Sequence, residues 1–233
     1  MANIRHLIEE NNIGSDVLHL AGELGAKHKQ EVYAVGGYVR DLFLGRDIKE
    51  IDFMVVGNGI KFARSLADEL KVDNIVPFQR FSTARIPYKK IPLEVASART
   101  ESYDNFSRKP NKIQYTDLKG DLLRRDFTIN AMAIDLHPER FGDLSDPFKG
   151  IIDLQTKHLV TPLDPDRTFS DDPLRMMRAA YFSAKLDMRV DSKIKESMKR
   201  QAERIKIVSW ERITAEFLKI LSTPKPSIGL KLL

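Results

Sequence analysis

The sequence contains no cysteine. That excludes a disulfide framework, a thiolate zinc site and a cysteine nucleophile. No stretch approaches the roughly 20 consecutive apolar residues that a membrane helix needs. The opening MANIRHLIEENN lacks the basic start and apolar run of a secretory signal. Histidines stand at positions 6, 19, 28, 137 and 158 with neither H-x3-H nor H-D spacing, so they read as structural or exposed. There is no internal repeat, no Gly-Lys-Ser/Thr of a P-loop and no G-x-G-x-x-G. What is present is an ordinary globular balance, 42% hydrophobic and 30% charged over 233 residues. Such a chain is long enough for one large domain or two small ones with a sizeable core. A soluble, cytoplasmic protein is expected.

The net charge of +5 is unevenly spread. Residues 173–233 carry 14 Lys and Arg against 6 Asp and Glu, whereas the first 172 residues carry 24 against 27. The asymmetry fits an acidic catalytic part joined to a basic part that faces a polyanion, and equally a set of solvated helix faces.

Residues 15–27 have helical spacing, with Ser15 placed to cap them. EVYAV (31–35) reads as a short buried strand broken by Gly36-Gly37, and YVRDLFLG (38–45) as a helix stopped by Gly45. IDFMVVG (51–57) is a second strand and residues 60–70 a further helix. TARIPY (83–88) and IPLEVAS (91–97) read as paired strands whose prolines favour edge positions. Residues 100–120 are expected to form a long mobile loop. Residues 121–136 pass from a charged helix start into the apolar AMAIDL, and the turn-rich stretch 138–172 is read as a hinge. Helices follow at 172–186, behind the Asp171-Asp172 cap, at 191–204 and at 208–222. Ser227 opens a last apolar helix with no C-cap, so the chain reads as cut short.

Glu50 and Asp52 stand two apart at the entry of an apolar strand, so both carboxylates share one face while Ile51 and Phe53 take the other. Glu94, between Leu93 and Val95, has the same pattern. Three such carboxylates on neighbouring strands would cradle two Mg²⁺ ions for phosphoryl or nucleotidyl transfer. A surface pair is the plainer reading of Glu50 and Asp52 taken alone. Strand, Gly36-Gly37 and helix together offer backbone N–H groups to a phosphate, with Arg40 one turn on and able to reach the same anion.

These residues belong to a run of blocks: VGGYVRDLFLGRDIKEIDFMVVG, LEVASARTE, LLRRDFTINAMAID, DDPLRMMRAA and SWERITAEFLKIL. In this order they closely resemble the bacterial tRNA nucleotidyltransferase and poly(A) polymerase family of the nucleotidyltransferase (polymerase β-like) superfamily. The resemblance runs from about residue 30 to the end of the chain. It implies that Gly36, Gly37 and Arg40 contact nucleotide phosphates, and that Glu50, Asp52 and Glu94 are the catalytic, metal-binding carboxylates. It further implies that Arg125 and Asp126 lie near the incoming phosphates and ribose, with Asn130 one helical turn along. Arg178 would contact the nucleotide from a helical neck. Glu211 and Arg212 would read the base edge, so that protein serves as template.

Plainer readings exist for Arg124 and Arg125 as a solvated helix start pairing with Asp121. Arg178 equally fits a snorkelling surface residue, and Glu211–Arg212 a surface pair. Three departures from the family pattern stand out. Glu50 replaces the usual Asp, Tyr181 replaces an Arg one turn after Arg178, and the base-reading block is ERITAE rather than EDxxR. The phosphohydrolase domain that some members append is expected to be absent from this chain.

The expected fold class is α+β, a nucleotidyltransferase head (1–157) with a mixed sheet flanked by helices, then an all-α neck (158–233). The expected function is template-independent, Mg²⁺-dependent transfer from CTP and ATP to an RNA 3′ end, with CCA addition to tRNA first. Poly(A) polymerase, or a catalytically weak RNA- or nucleotide-binding remnant, is the alternative. Neither DNA nor a membrane is expected as a partner.

Overall fold

The computed structural model describes residues 2–11, 14–104 and 107–233. The chain divides into two compact units. The first comprises Met1–Thr100, Gln114–Leu122 and Asn130–Pro147, the second Glu101–Ile113, Leu123–Ile129 and Phe148–Leu233. The sequence reading divides the chain once, at 157/158; by compactness the second unit takes residues 101–113, 123–129 and 148–233.

In chain order the elements begin with α1 (Arg5–Asn11), α2 (Ser15–Lys27), β1 (Val32–Val35), α3 (Gly37–Phe43), β2 (Ile51–Val55) and α4 (Gly59–Glu69). Then come β3 (Val76–Phe78), β4 (Thr83–Ile86), β5 (Leu93–Ser97), β6 (Arg99–Asp104), β7 (Ser107–Tyr115), α5 (Leu118–Leu123), β8 (Ala133–Asp135) and β9 (Leu144–Ser145). Seven of these strands form one mixed sheet in the order β3-β4-β5-β2-β1-β8-β9. Only β2 and β5 pair in parallel; their neighbours are antiparallel.

Alternation along the strands decides which face is core. Ile51, Phe53 and Val55 of β2, with Leu93 and Val95 of β5, are almost wholly buried. Against β2, β4 and β5 packs α4, whose Ile60, Phe62, Ala63 and Leu66 are buried, and α2 packs on β1. Asn58 caps α4 by accepting the Lys61 N–H at 2.9 Å. The opposite face carries Asp52 and Glu94.

Several sequence expectations change here. The cap position before α2 is Gly14, at φ 79°, and Ser15 is the first helical residue with no capping bond. Pro87 and Pro92 lie outside β4 and β5, in the turn joining them, and β5 is central in the sheet. The sheet's edges are β3, where Pro77 sits, and β9. The stretch expected to be a mobile loop instead holds β6 and β7, paired as a two-stranded sheet; of that stretch Asn105 and Phe106 lie outside the described residues. The apolar AMAIDL contributes strand β8 rather than continuing a helix, because backbone pairing with β1 is available to it.

The second unit continues with α6 (Gly150–Thr156), β10 (His158–Leu159), α7 (Pro165–Asp171), α8 (Leu174–Leu186), β11 (Arg189–Val190), α9 (Ser192–Gln201), α10 (Trp210–Leu221) and α11 (Pro226–Leu230). From Phe148 onward it is helical except for the short parallel pair β10–β11, which departs from an all-α neck. The hinge stretch is ordered into elements: α7 starts with Asp164 capping and Pro165 in its first turn, which suits a residue lacking an N–H. Its core includes Leu174, Met177, Ala180, Val208 and Ile220, with Tyr181 packed partly buried against them. No helix among the described residues is long and apolar enough to cross a membrane.

Candidate active site

Register assembles the site in the first unit. Val35, the last residue of β1, pairs with Asp52 in β2, and Asp52 pairs with Glu94 in β5. Partners in adjacent strands project to the same face, so Asp52 and Glu94 stand side by side. Glu50 lies one residue before β2 and exposed, on the face of Asp52 by the period of two. Loss of water beside the neighbouring strands, then the Glu50 charge, raises the Glu94 carboxyl above the ordinary carboxylate range, and Arg85 and Arg99 draw it back. The effect is felt although the Glu94 side chain is itself open to solvent.

The turn after Val35 completes this corner. Gly36 adopts φ 70° and ψ −129°, a conformation that L side chains resist, and leads directly into α3. Gly37 has an ordinary helical start, and a Cβ added there would lie 3.5 Å from Arg40 Nη2. The guanidinium of Arg40 thus comes back beside Gly37, as the sequence suggested. It is buried, and its geometry is fixed by side chains of the same unit. Nε and Nη2 donate to the two Asp41 oxygens at 2.9 and 2.8 Å, and Nη1 donates to Asn130 Oδ1 at 2.6 Å. Asn130 therefore acts on Arg40. It lies in a short 3₁₀ turn (Thr128–Asn130), not one turn along a helix from Asp126.

In the second unit Asp126 is the anchor. Its Oδ2 accepts Arg178 Nε at 2.7 Å and lies 2.7 Å from Nη2, while Oδ1 accepts the Phe127 N–H at 2.8 Å. Burial works against the Arg178 charge, but Asp126, with Glu216 and Asp172 nearby, outweighs it and holds the guanidinium protonated. Arg178 also lies 5.2 Å from the centre of the Phe182 ring. It is a paired, half-buried residue rather than a snorkelling one. Arg125 is half-buried in the bend after α5.

Glu211 and Arg212 point to different partners. Glu211 is exposed in the first turn of α10, where its own backbone N–H and Ser209 lower its carboxyl. Arg212 Nη2 donates to Asp172 Oδ2 at 3.2 Å. Among the described residues, Arg212 Nη1 and Glu216 Oε2 are buried with no hydrogen-bond partner. Tyr181 packs partly buried against the hydrophobic cluster, with Lys185 5.4 Å from its ring centre.

Residues 32–160, more than half of the chain, match the family described as the poly A polymerase head domain. The chain belongs to that family. Residues 187–233 match the probable RNA and SrmB-binding site of polymerase A. An A-adding tRNA nucleotidyltransferase from Aquifex aeolicus is 43% identical over 170 residues, covering 73% of this chain and 20% of the relative. A CCA-adding enzyme in an apo form superposes with a TM-score of 0.87 at 33% identity, over 99% of this chain and 55% of that one. A tRNA nucleotidyltransferase complexed with a primer tRNA and an incoming ATP analog gives 0.78 at 34% identity, over 91% and 59%. The chain thus spans between a fifth and three-fifths of the length of these relatives.

Poly A polymerase heads belong to the nucleotidyltransferases, which use divalent metal in general. The residues present suit such an ion. Glu50, Asp52 and Glu94 offer only oxygen donors on one face, and the Glu50 charge disfavours that of Glu94, which a cation would relieve. As they stand, no group of three or more His, Asp or Glu side chains among the described residues is drawn together tightly enough to hold a metal.

In this poly A polymerase head and its helical continuation, the sequence marks Asp172 as a cap but not as the partner of Arg212, and it does not mark Arg175, although the block DDPLRMMRAA contains both. Asp172 caps α8 through the Leu174 N–H at 3.2 Å and holds Arg212. Arg175 donates to the Arg124 carbonyl at 2.8 Å and to the Thr168 carbonyl at 3.3 Å, tying the arginine pair to α7 and α8. Their signal was the acidic pair before a proline, followed three residues on by Arg, at a helix start. Glu216 carried no signal beyond its place four residues after Arg212.

Proposed function

We propose that this chain carries the catalytic part of a tRNA nucleotidyltransferase, adding nucleotides from CTP and ATP to a tRNA 3′ end without a nucleic-acid template. One observation carries the reading: the row Val35–Asp52–Glu94, with the Gly36-Gly37 turn leaving its first member. That row puts a phosphate-accepting turn one strand away from a pair of carboxylates. In this mechanism the Gly37 N–H and the Arg40 guanidinium take the triphosphate, and Asn130 and Asp41 keep Arg40 aimed. The 3′-hydroxyl oxygen of the RNA attacks the α-phosphorus, the bond to the β-phosphate oxygen breaks, and pyrophosphate leaves with that oxygen. Glu50, Asp52 and Glu94 would hold Mg²⁺, which when bound lowers the pKa of the attacking hydroxyl and neutralises charge on the phosphates. Asp126 and Arg178 serve the nucleotide's ribose and phosphates, Arg125 its phosphates, and Arg212, held by Asp172, the base edge. Glu211 enters only as a helix-start residue. A cytoplasmic location is part of the same proposal.

A second reading, addition of A alone, is favoured by the A-adding Aquifex relative at 43% identity. The experiment is to offer tRNA lacking CCA, and tRNA ending in CC, with CTP, ATP or both, and to sequence the products. Terminal CCA supports the first reading, a single A added only to the CC end supports the second, and a long A tail indicates a poly(A) polymerase. Absence of any incorporation refutes transfer by this chain.

A further inference from the structure

The carboxylate-bearing face of the sheet does not stop at Glu94. Arg85 of β4 is the register partner of Glu94, and Val76 of β3 is the partner of Arg85. One row along, Ala96 pairs with Thr83 and Thr83 with Phe78. These residues all project from the face of Asp52. At about 4.8 Å per strand, Arg85 lies about 10 Å from Asp52, and Val76 about 14 Å.

This outer part of the face is open and of one chemistry. Arg85 is exposed, Val76 is 51% exposed and Phe78 47%. Arg99 reaches onto it, donating to Thr83 Oγ1 at 3.1 Å and to the Phe81 carbonyl. Phe81 is 39% exposed, and its ring has Arg80 at 5.9 Å and Arg99 at 5.8 Å from its centre. Exposed aromatics scattered singly need no explanation. Here two phenylalanines and three arginines gather on β3, β4 and the turn between them, outward of Glu94 on the sheet, the composition of a surface that stacks bases and tracks a phosphate backbone. Pro77, lacking an N–H, blunts the free edge of β3, so the face rather than the edge is offered to a ligand.

We propose that the outer face of β3 and β4 is the track for the last nucleotides of a single-stranded RNA 3′ end, Arg85 and Arg99 taking its phosphates and Phe78 and Phe81 stacking its bases. The inference rests on the proposed transfer, since it brings a 3′-hydroxyl to Asp52 and Glu94 along the row that already holds them. A polyanion is the occupant that the arginines fit, and its planar bases suit the phenylalanines.

The test uses the full chain and a short fluorescein-labelled RNA ending in two cytidines, with binding read by anisotropy and KM values read in turnover. Phe78→Ala is the clean variant, because Phe78 is exposed and lies a row away from the carboxylates. It should weaken RNA binding about fivefold or more, as loss of one stacked base does. It should raise KM for the RNA while leaving KM for the nucleotide unchanged, and Phe78→Trp should restore both. Arg85→Gln should flatten the salt dependence of RNA binding by about 0.7 log units per log unit of salt. If Phe78→Ala transfers nucleotides with unchanged RNA affinity and KM, the track is refuted and the transfer reading stands. If the wild type transfers nothing yet Phe78→Ala loses RNA binding, the track stands and the transfer reading falls. Self-association that Phe78→Ala abolishes without changing RNA affinity would mean that a second copy covers this face, and overturns the proposal.

Discussion

Replacing Gly37 by Ala separates what this glycine does for the fold from what it does for a ligand. Its backbone is ordinary for a helix start, unlike that of Gly36. The added Cβ would meet only Arg40 Nη2, at 3.5 Å, an ordinary van der Waals contact. Alanine is the better helix former by up to about 1 kcal/mol, so Gly37→Ala should be as stable as the wild type or slightly more so. The same methyl stands between an incoming phosphate and the guanidinium. Losing one charge-assisted hydrogen bond of about 1.5–3 kcal/mol should weaken CTP and ATP about tenfold to a hundredfold. Calorimetric titration with nucleotide and Mg²⁺, beside urea unfolding of the same samples, reads both quantities. Gly36→Ala supplies the contrast, losing about 1–3 kcal/mol of stability through its backbone. Unchanged nucleotide affinity in a folded Gly37→Ala protein would refute the reasoning, because the gap beside Arg40 would then not be the route of the phosphate.

Glu94 supplies a pH test. Its carboxyl is raised in the folded chain, so the native state binds more protons than the unfolded one between the ordinary glutamate value and the raised value, and stability should fall as pH rises through that window. Glu94→Gln should remove this dependence in thermal melts, and Mg²⁺ should raise the melting temperature of the wild type but not of the variant. Asp126→Asn takes the carboxylate from the half-buried Arg178; a loss of about 2 kcal/mol in urea unfolding is expected, below the figure for a fully buried pair because Arg178 is one-third exposed. Arg212→Ala should relax discrimination among the four nucleotides more than it weakens triphosphate binding. Asp172→Asn should do the same by releasing Arg212, and the two changes should not add in competition assays. Glu211→Ala should leave discrimination unchanged.

The sequence made the head legible where chemistry and periodicity coincide. Alternation around Asp52 and Glu94 already told which side of each strand would be polar, and the register then set the two carboxylates together. The Gly36-Gly37 break gave the turn, since only glycine takes the backbone that Gly36 adopts. Long-range partners were not legible. Nothing local distinguishes Asn130 as the acceptor for Arg40, ninety residues away, or Asp172 as the holder of Arg212. The pairing of β6 with β7 was hidden by the polar composition of their stretch, which matches that of a loop. For β8, three residues long, the apolar run could not by itself distinguish strand from helix. Glu211 and Arg212, adjacent in sequence, read as one unit. Successive helical residues project about 100° apart, and the two side chains find separate partners.

The most direct test of the central claim compares the wild type with Asp52→Ala, measuring labelled CTP and ATP incorporation into tRNA lacking CCA, together with binding of that tRNA. Catalysis by the Val35–Asp52–Glu94 row requires Mg²⁺-dependent incorporation by the wild type and none by Asp52→Ala, with RNA binding nearly intact in both. Incorporation that survives Asp52→Ala would contradict it, because the transfer would then be carried by residues other than the Val35–Asp52–Glu94 row.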